Sequence, residues 1–354
     1  MLPKWVVETV VKGLFSGDYK KNMCSSGELT YIIYNNYNLY LLNNEILCYN
    51  YYNEWGGIIM QKKQNLILQP VLKWAGGKRQ LLPQIQSNID KYFPKKFTAY
   101  YEPFIGGGAL LFHLQPKKAV INDYNEDLIN LYRCIKENLD ELIEKLKYYE
   151  TKNDSESFYE IRGIDRTEEY KKWTPVEKAA RLIYLNRTCY NGLFRMNSAG
   201  QFNSPYGSYK NPCICNEPVL RAMNKYFNEN DIEFRAGDFE EACKDAPKGS
   251  FIYLDPPYDQ YDEQLNFVGY TKDGFTREDQ TRLKKMCDRL IEKGCYVMIS
   301  NSKTPFIVDL YSDSSKYVAY TINTVNARRN INSNANKRGE VEEVLIIGKL
   351  DIEK

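Results

Sequence analysis

The segment Phe251-Ile252-Tyr253-Leu254-Asp255-Pro256-Pro257-Tyr258 concentrates more chemistry than any other stretch of this chain. Four apolar residues read as a buried strand, and the chain leaves it through Asp-Pro-Pro-Tyr. Two prolines cannot continue a sheet ladder, so they hold a rigid turn at the strand's carboxyl end. A carboxylate, a backbone carbonyl and an aromatic face then stand together. An exocyclic amine on a heteroaromatic ring is a poor nucleophile, because its lone pair is delocalised into the ring. Acceptors for its two hydrogens let the nitrogen become tetrahedral as it attacks. Asp255 and the Pro256 carbonyl can be those acceptors, and Tyr258 offers a flat face for the ring. Taken alone, the tetrapeptide also fits a plain strand-ending turn.

Two further elements suit a ligand site at strand ends. Tyr101-Glu102-Pro103-Phe104-Ile105-Gly106-Gly107-Gly108-Ala109-Leu110 reads as a strand, a glycine turn and an apolar helix. Glycine permits a tight turn and close approach of a ligand to the backbone. The turn has neither the GxGxxG spacing of a dinucleotide fingerprint nor a phosphate-cradling GxxxxGK[ST] pattern. Ala119-Val120-Ile121-Asn122-Asp123 follows as a short strand ending in an acid. Open α/β sheets bind ligands at the carboxyl ends of their strands, where such an acid can hold ribose hydroxyls. A turn-forming Asn-Asp is the plain alternative.

The elements that must position these residues alternate from about residue 66. Strands are expected at 99–104, 118–122, 232–236, 251–255, 296–300, 317–322 and 342–347. A helix over 126–149 is expected from Leu128, Leu131, Ile135, Leu139, Leu142 and Leu146, which recur at helical spacing. Thr174-Pro175-Val176-Glu177 has the form of a capping box with proline in the first turn. Thr276-Arg277-Glu278-Asp279 opens another helix, leading into Leu283, Met286, Leu290 and Ile291. Strands alternating with helices imply an α/β sheet with crossover connections. Residues 150–230 hold no convincing strand and read as an inserted helical and loop domain.

Residues 1–65 read as a low-complexity N-terminal extension, with Asn, Tyr and Leu crowded between Tyr31 and Tyr52. That stretch has neither a clean helical nor a clean strand period. Trp55-Gly56-Gly57-Ile58-Ile59-Met60 back-translates to a purine-rich run just before a start codon. The expectation is that Met60 is the native start.

Composition bounds the rest. The 354 residues suffice for a sizeable core, and 43% hydrophobic with 27% charged residues is ordinary for a globular protein. A formal net charge of +2 means that any nucleic-acid surface must be local. Nine Cys without a CxxC pair, and one His, make a poor metal set, so no metal is expected. The thiols read as reduced and structural. No 18-residue apolar run or signal-peptide pattern occurs, which is the pattern of a cytoplasmic protein, in the bacterial cytoplasm or nucleoid. No Asp or Glu falls between Lys178 and Asn216, in a chain with 46 acids. Lys178, Arg181, Arg187, Arg195 and Lys210 lie there, interleaved with Tyr184, Tyr190, Phe194, Phe202, Tyr206 and Tyr209. Such a mixture can neutralise phosphates and stack on bases; a folded aromatic subcore fits the composition equally well. A second acid-free run, Thr321 to Gly339, carries Arg328, Arg329, Lys337 and Arg338 and reads as a loop between two strands.

Lys73-Trp74-Ala75-Gly76-Gly77-Lys78, the Glu102–Gly108 turn, Asn122-Asp123 and Asp255-Pro256-Pro257-Tyr258 occur in this order. The set resembles the Dam family of adenine-N6 DNA methyltransferases, which includes GATC-modifying maintenance enzymes and the methylases of related restriction systems. The resemblance spans residues 70–350. It implies a class I S-adenosylmethionine-dependent methyltransferase sheet formed by 66–149 and 231–354, with 150–230 as an inserted, mainly helical DNA-recognition domain. It implies that Trp74, Lys78, Phe104, Gly106, Gly108, Asp123, Asp238, Phe239 and Asp255 hold S-adenosylmethionine, and that Asp255, Pro256, Pro257 and Tyr258 are catalytic. Asn186–Arg195 and Gly200–Gly207 resemble the family's DNA hairpin. Tyr190 would wedge into the duplex, Asn191 would fill the vacated space, and Arg195 would read a guanine, a task suited to a bidentate guanidinium. Lys73, Arg187, Pro205, Arg328 and Arg329 complete the DNA-binding set. The chain departs from the family at Ser204, where many members have Val, and at Thr188-Cys189.

The implied partner is double-stranded DNA. A cognate restriction endonuclease can share the system, with no stable complex and no membrane implied. RNA adenine, protein glutamine and a catalytically silent DNA-binding regulator are the alternatives. Glutamine-modifying enzymes usually carry Asn before Pro-Pro-Tyr, and cytosine-N4 enzymes often carry Ser, so Asp255 favours adenine. The Arg328–Arg329 pair is expected to dock on phosphates. Reversing both charges should weaken DNA binding and flatten the slope of log affinity against log salt by about 2. Unchanged affinity and slope would remove the assignment.

Overall fold

The computed structural model describes residues 65, 67–74, 76–260, 274–312, 318–328 and 340–350, together with strand backbone between 22 and 49. The chain divides into two compact units, residues 1–69 and 70–354.

The first unit departs from the expectation of no regular period. Strands β1 (Asn22–Met23), β2 (Leu29–Tyr34), β3 (Tyr37–Leu42) and β4 (Glu45–Tyr49) pair in sequence order, each antiparallel to the next. Tyr, Ile, Thr and Leu dominate these segments, and the β-branched and aromatic residues among them favour strands without strict alternation. Asn35-Asn36 and Asn43-Asn44 separate Tyr34 from Tyr37 and Leu42 from Glu45. Such two-residue, Asn-rich connections are what hairpins favour. Met60 and the proposed start site lie outside the described residues.

The second unit carries a seven-stranded sheet. After a 3₁₀ turn at Lys78–Gln80 come α1 (Leu82–Tyr92), β5 (Tyr100–Glu102), α2 (Ala109–Leu114), β6 (Lys118–Asp123), α3 (Glu126–Glu137), α4 (Leu139–Glu150) and α5 (Ser155–Gly163). Then come α6 (Pro175–Thr188), α7 (Glu217–Glu229), β7 (Asp231–Ala236), α8 (Phe239–Cys243), β8 (Phe251–Leu254) and α9 (Arg277–Glu292). The chain continues through β9 (Tyr296–Ser302), α10 (Pro305–Ser312), β10 (Val318–Arg328) and β11 (Glu340–Leu350). The strand order is β10-β11-β9-β8-β5-β6-β7. β7, β6, β5, β8, β9 and the edge strand β10 run in one direction, and β11, between β9 and β10, is antiparallel to both. This is the class I methyltransferase sheet that the motifs imply. The chain reverses its direction of winding between β5 and β8, which opens a crevice at their carboxyl ends.

All four residues of β8 are buried, as a central parallel strand covered on both faces requires. On one face, Leu283, Met286, Cys287, Leu290 and Ile291 of α9 and Ile307 and Tyr311 of α10 pack on Ile252, Leu254, Val297, Ile299, Val344 and Ile346. Each fully buried aliphatic side chain contributes roughly 1.5–3 kcal/mol. Both expected capping boxes form, at Thr174 with Glu177 and at Thr276 with Asp279. Cys134, Cys189, Cys243, Cys287 and Cys295 are buried thiols, and burial pushes Cys134 up to about 11 and Cys189 to about 12. Among the described residues no helix is long and apolar enough to cross a membrane.

Two expectations are corrected. The single helix over 126–149 is two helices broken at Asn138 (φ −130°, ψ 37°), whose N–H caps the Cys134 carbonyl. The apolar spacing runs on through the break, because Leu128, Leu131, Ile135, Leu139, Leu142 and Leu146 are all buried. The loop expected from Thr321 is strand as far as Arg328, paired residue by residue with β11. Thr321, Ile322, Thr324 and Val325 are β-branched, and that preference outweighs the polar composition.

Residues 150–230 contain no strand, only helices, 3₁₀ turns and two isolated bridges, Cys189–Tyr206 and Met196–Phe202. Their anchor is Asp165, which is buried. Its carboxylate pairs with Arg181 at 2.8 Å and Arg166 at 2.6 Å, and accepts the Phe202 N–H at 2.8 Å. Arg181 also donates to the Ile161 and Arg162 carbonyls. Asp165→Ala leaves the buried Arg181 guanidinium uncompensated and should cost about 3–5 kcal/mol, read as a lower denaturant midpoint. A midpoint unchanged from wild type would refute that anchoring role.

Candidate active site

The glycine turn is built by what surrounds it. Gly106 (φ +47°) and Gly108 (φ +71°) take left-handed conformations. A Cβ on Gly106 would lie 2.8 Å from Trp74 Cδ1, and one on Gly108 2.9 Å from Phe112 Cε2. The Gly106 N–H donates to Asp123 Oδ2 at 3.0 Å, and the Tyr132 hydroxyl donates to the Gly106 carbonyl at 2.7 Å. Asn122 is fully buried, and its amide donates to the Pro103 and Gly237 carbonyls at 3.0 and 2.9 Å. One side chain thereby ties together the carboxyl ends of β5, β6 and β7.

The Asp-Pro-Pro-Tyr turn leaves β8 beside this site. Lys78 is buried (6% exposed), and its ammonium pairs with Asp255 Oδ1 at 2.7 Å. The same ammonium donates to the Gly76 carbonyl at 2.7 Å and lies 4.7 Å from the centre of the Tyr258 ring. Three carboxyls thus end three neighbouring strands: Glu102 on β5, Asp123 on β6 and Asp255 after β8. Burial pushes Glu102 up to about 8, with the Tyr100 hydroxyl donating to it and Asp255 and Asp123 adding to the rise. Burial pushes Asp123 up to about 6, against the N–H groups of Asn125 and Gly106. Burial also raises Asp255, and the Lys78 ammonium opposes that rise. With Glu102 held largely neutral by its burial, a crevice lined by Asp123 and by Asp255 on its ammonium suits a cationic ligand. S-adenosylmethionine, with its sulfonium and ammonium, fits that charge balance, and the bare glycine turn leaves it room.

The walls follow. Phe104 stacks near Phe239 (ring centres 5.5 Å apart) and Phe275 (5.8 Å). Asp238 caps α8 through the Glu240 N–H and pairs with Arg282 at 2.8 Å. The structure therefore brings Trp74, Lys78, Phe104, Gly106, Gly108, Asp123, Asp238, Phe239 and Asp255 to the same end of the sheet. The sequence reading passed over Tyr124, 65% exposed directly after Asp123. An aromatic residue following a strand-end acid was the available signal. It also missed Glu343, which receives the Tyr258 hydroxyl, because nothing in β11 points to chemistry.

The expected DNA-contacting residues gather on a hairpin after α6. The Tyr190 N–H donates to the Pro205 carbonyl at 2.8 Å, and Asn191 is left-handed (φ +57°). Tyr190 is 57% exposed, and Asn191, Arg195, Pro205 and Lys73 are exposed with it. Arg195 Nε donates to Asn203 at 2.8 Å. Asn186, wholly buried, accepts the Lys73 N–H at 2.8 Å and donates to the Lys73 and Gly192 carbonyls. Trp74 stacks on Phe194 of the hairpin at 5.1 Å.

Arg187 does not join this surface. Its guanidinium donates to the Val71 carbonyl, and burial lowers its pKa. Much of the acid-free stretch is core as well: Tyr184, Phe194 and Phe202 are buried, and Arg181 is neutralised by Asp165 from outside the stretch. The absence of acids between 178 and 216 therefore reflects an aromatic subcore at these positions. Only the backbone of Arg328 is described, at the end of β10, and Arg329 lies outside the described residues.

Residues 74–331 match the family described as D12 class N6 adenine-specific DNA methyltransferase. The chain is 44% identical over 285 residues to Type II methyltransferase M1.LlaDCHI of Lactococcus lactis, covering 80% of this chain and 97% of that protein. It is 38% identical to Type II methyltransferase M.MjaIII of Methanocaldococcus jannaschii, covering 79% and 99%. It is 33% identical to the DNA adenine methylase of Escherichia coli K12, covering 78% and 94%. With the family match running from Trp74 through the glycine turn and Asp-Pro-Pro-Tyr into β10, the chain belongs to the D12 class of N6 adenine-specific DNA methyltransferases, and S-adenosylmethionine is its methyl donor.

Proposed function

We propose that this enzyme methylates the N6 amine of an adenine flipped out of duplex GATC, with Asp255, the Pro256 carbonyl and Tyr258 holding the base. The observation that carries this reading is the junction of the Asp-Pro-Pro-Tyr turn, Lys78 and the glycine turn at one end of the sheet. N6 cannot reach a cofactor while the base is stacked in a helix, so the base must leave it. Tyr190, the exposed aromatic tip of the hairpin, supplies the wedge, and Asn191 stands beside it. Arg195 reads guanine. Its Nε is already oriented by Asn203, which leaves the terminal nitrogens for the O6 and N7 edge. Lys73 contacts another base of the site, its backbone fixed on both sides by Asn186.

In the pocket, Asp255 Oδ1 is engaged by Lys78, so its other oxygen faces the amine together with the Pro256 carbonyl. Lys78 favours the ionised form of Asp255 against its burial. When bound, S-adenosylmethionine supplies an electrophilic methyl on a sulfonium. The positive charge that develops on N6 during attack meets the Asp255 carboxylate in a site shielded from water. Alignment of amine and methyl by fixed groups supplies much of the acceleration. Trp74, Phe104 and Phe239 form the cofactor's walls, Asp238 stands at its adenine ring, and Asp123 holds its ribose. The relatives named as Type II methyltransferases support a restriction-modification setting with a cognate endonuclease, and a DNA substrate supports a cytoplasmic location.

Labelled methyl should pass from S-adenosylmethionine to N6 of adenine in GATC duplexes and not in duplexes lacking GATC. Label at another sequence would discard the site, and label in no DNA would discard the DNA substrate. Asp255→Ala should lower the single-turnover rate by about 10²–10³-fold or more, the scale of losing a charged group aimed at the reacting centre. A second outcome concerns pH. Ionised Asp123 accepts from two hydroxyls more strongly than its protonated form, so cofactor affinity should fall as the pH drops through about 6. Asp123→Asn should bind more weakly and lose that step; a wild-type affinity flat from pH 7 to 5 would contradict the ribose role.

A further inference from the structure

We propose that Glu343, on the edge hairpin, is the positioning residue that sets the plane of Tyr258 against the flipped base. The inference rests on the stacking role given to Tyr258 above. The turn after β8 is held by a buried polar scaffold. Gln280 Nε2 donates to the Pro257 carbonyl at 2.9 Å, and the Asp259 N–H donates to Asn301 Oδ1 at 3.2 Å. Ser302 Oγ donates to the Asp259 carbonyl, and Thr304 Oγ1 to the Asp259 carboxylate, both at 2.6 Å. Asn301 and Gln280 are joined to each other at 3.1 Å, and all four anchoring side chains are buried.

These bonds fix the backbone on both sides of Tyr258, but none of them touches its ring. An anchored backbone still leaves χ1 and χ2 of a tyrosine free to swing. The ring is held instead at its far end, where the hydroxyl donates to Glu343 Oε2 at 2.8 Å. Glu343 lies opposite Ser302 in the β11–β9 register, so it is mounted on the same strand pair that holds the turn. It is 8% exposed, an expensive place for a carboxylate unless the charge has a partner. A hydrogen bond to an ionised acceptor is stronger and more directional than a neutral one. Glu343 fixes where the tip of the ring lies, and the Lys78 ammonium over its face opposes rotation about the Cβ–Oη axis, so the two together define the aromatic plane. The base can then stack at one depth and tilt, with its amine in line with Asp255.

Single-turnover methylation of a GATC duplex, read beside cofactor affinity, tests this. Glu343→Leu should slow the methyl-transfer step by about 10- to 100-fold, the scale of misplacing a reacting group by about 1 Å, with cofactor affinity within about twofold. Glu343→Gln keeps an acceptor for the hydroxyl and should lose less. Tyr258→Phe should reproduce the Glu343→Leu loss, and the double variant should be no slower than either single one. Losses that multiply in the double variant, a loss confined to cofactor affinity, or an unchanged rate in Glu343→Leu would overturn the proposal. If Glu343→Leu does not fold, Tyr258→Phe against Glu343→Gln gives the same cycle. Tyr258→Ala separates the two readings. If it is as active as wild type, stacking itself is wrong. If it is inactive while Tyr258→Phe and Glu343→Leu are normal, only the positioning role is wrong.

Discussion

The ion pair between Lys78 and Asp255 is the constraint on which the rest of this site depends. A parallel sheet delivers its functional residues at one edge, and here that edge carries Glu102, Asp123 and Asp255 within a few residues of their strand ends. Burial pushes Glu102 up to about 8, and the neighbouring acids Asp255 and Asp123 add to that rise. Lys78 is the ammonium that the structure sets among them, bonded to Asp255 and to the Gly76 carbonyl. Without it, burial and the neighbouring acids would drive Asp255 towards its protonated form, which offers an amine one fewer charged acceptor.

Residues 73 and 74 join the two halves of that chemistry. Lys73 faces the hairpin, through Asn186 and Gly192, while Trp74 lies against Gly106 on one side and Phe194 on the other. One dipeptide thus touches both the glycine turn and the hairpin after α6. Close packing makes this contact stiff: a Cβ at Gly192 would lie 2.6 Å from Lys73 Cδ, as one at Gly106 would press on Trp74. The distance between the hairpin after α6 and the glycine turn is therefore set by packed side chains.

The sheet was legible because its signals are local. Apolar runs ending in Gly, Asp or Pro marked five of the seven strands of the second unit, and the capping boxes at Thr174 and Thr276 marked two helix starts. The break at Asn138 was not legible, because buried leucines keep their spacing through it. The four-stranded meander was missed because Tyr- and Asn-rich strands need not alternate polar with apolar. Residue type placed Asp255, Asp123 and the glycine turn at strand ends, and the structure sets them after β8, β6 and β5. Charge alone does not say which way a guanidinium points, and that of Arg187 turns inward to a backbone carbonyl. Asn186, Gln280, Asn301 and Glu343 carry no local signal at all. Their meaning comes from partners between 21 and 113 residues away that only the fold brings within reach.

The polar scaffold beneath the Asp-Pro-Pro-Tyr turn has an energetic logic of its own. Gln280, Asn301, Ser302 and Thr304 are buried where apolar side chains would pack with less risk. A buried polar group stabilises little when satisfied and costs heavily when not. Such a network nonetheless admits few arrangements, since each member must meet its donors and acceptors at once. An apolar core under the turn would tolerate small rotations of the main chain, each carrying the Asp255 oxygens away from the line of attack. Tyr253 repeats the pattern one turn deeper, with its hydroxyl on Ser300 at 2.8 Å in the centre of the sheet. A reaction that depends on aligning three atoms gains more from a single permitted geometry than from a little extra stability. That preference explains why buried, mutually bonded polar groups lie under a turn that itself contains no regular structure.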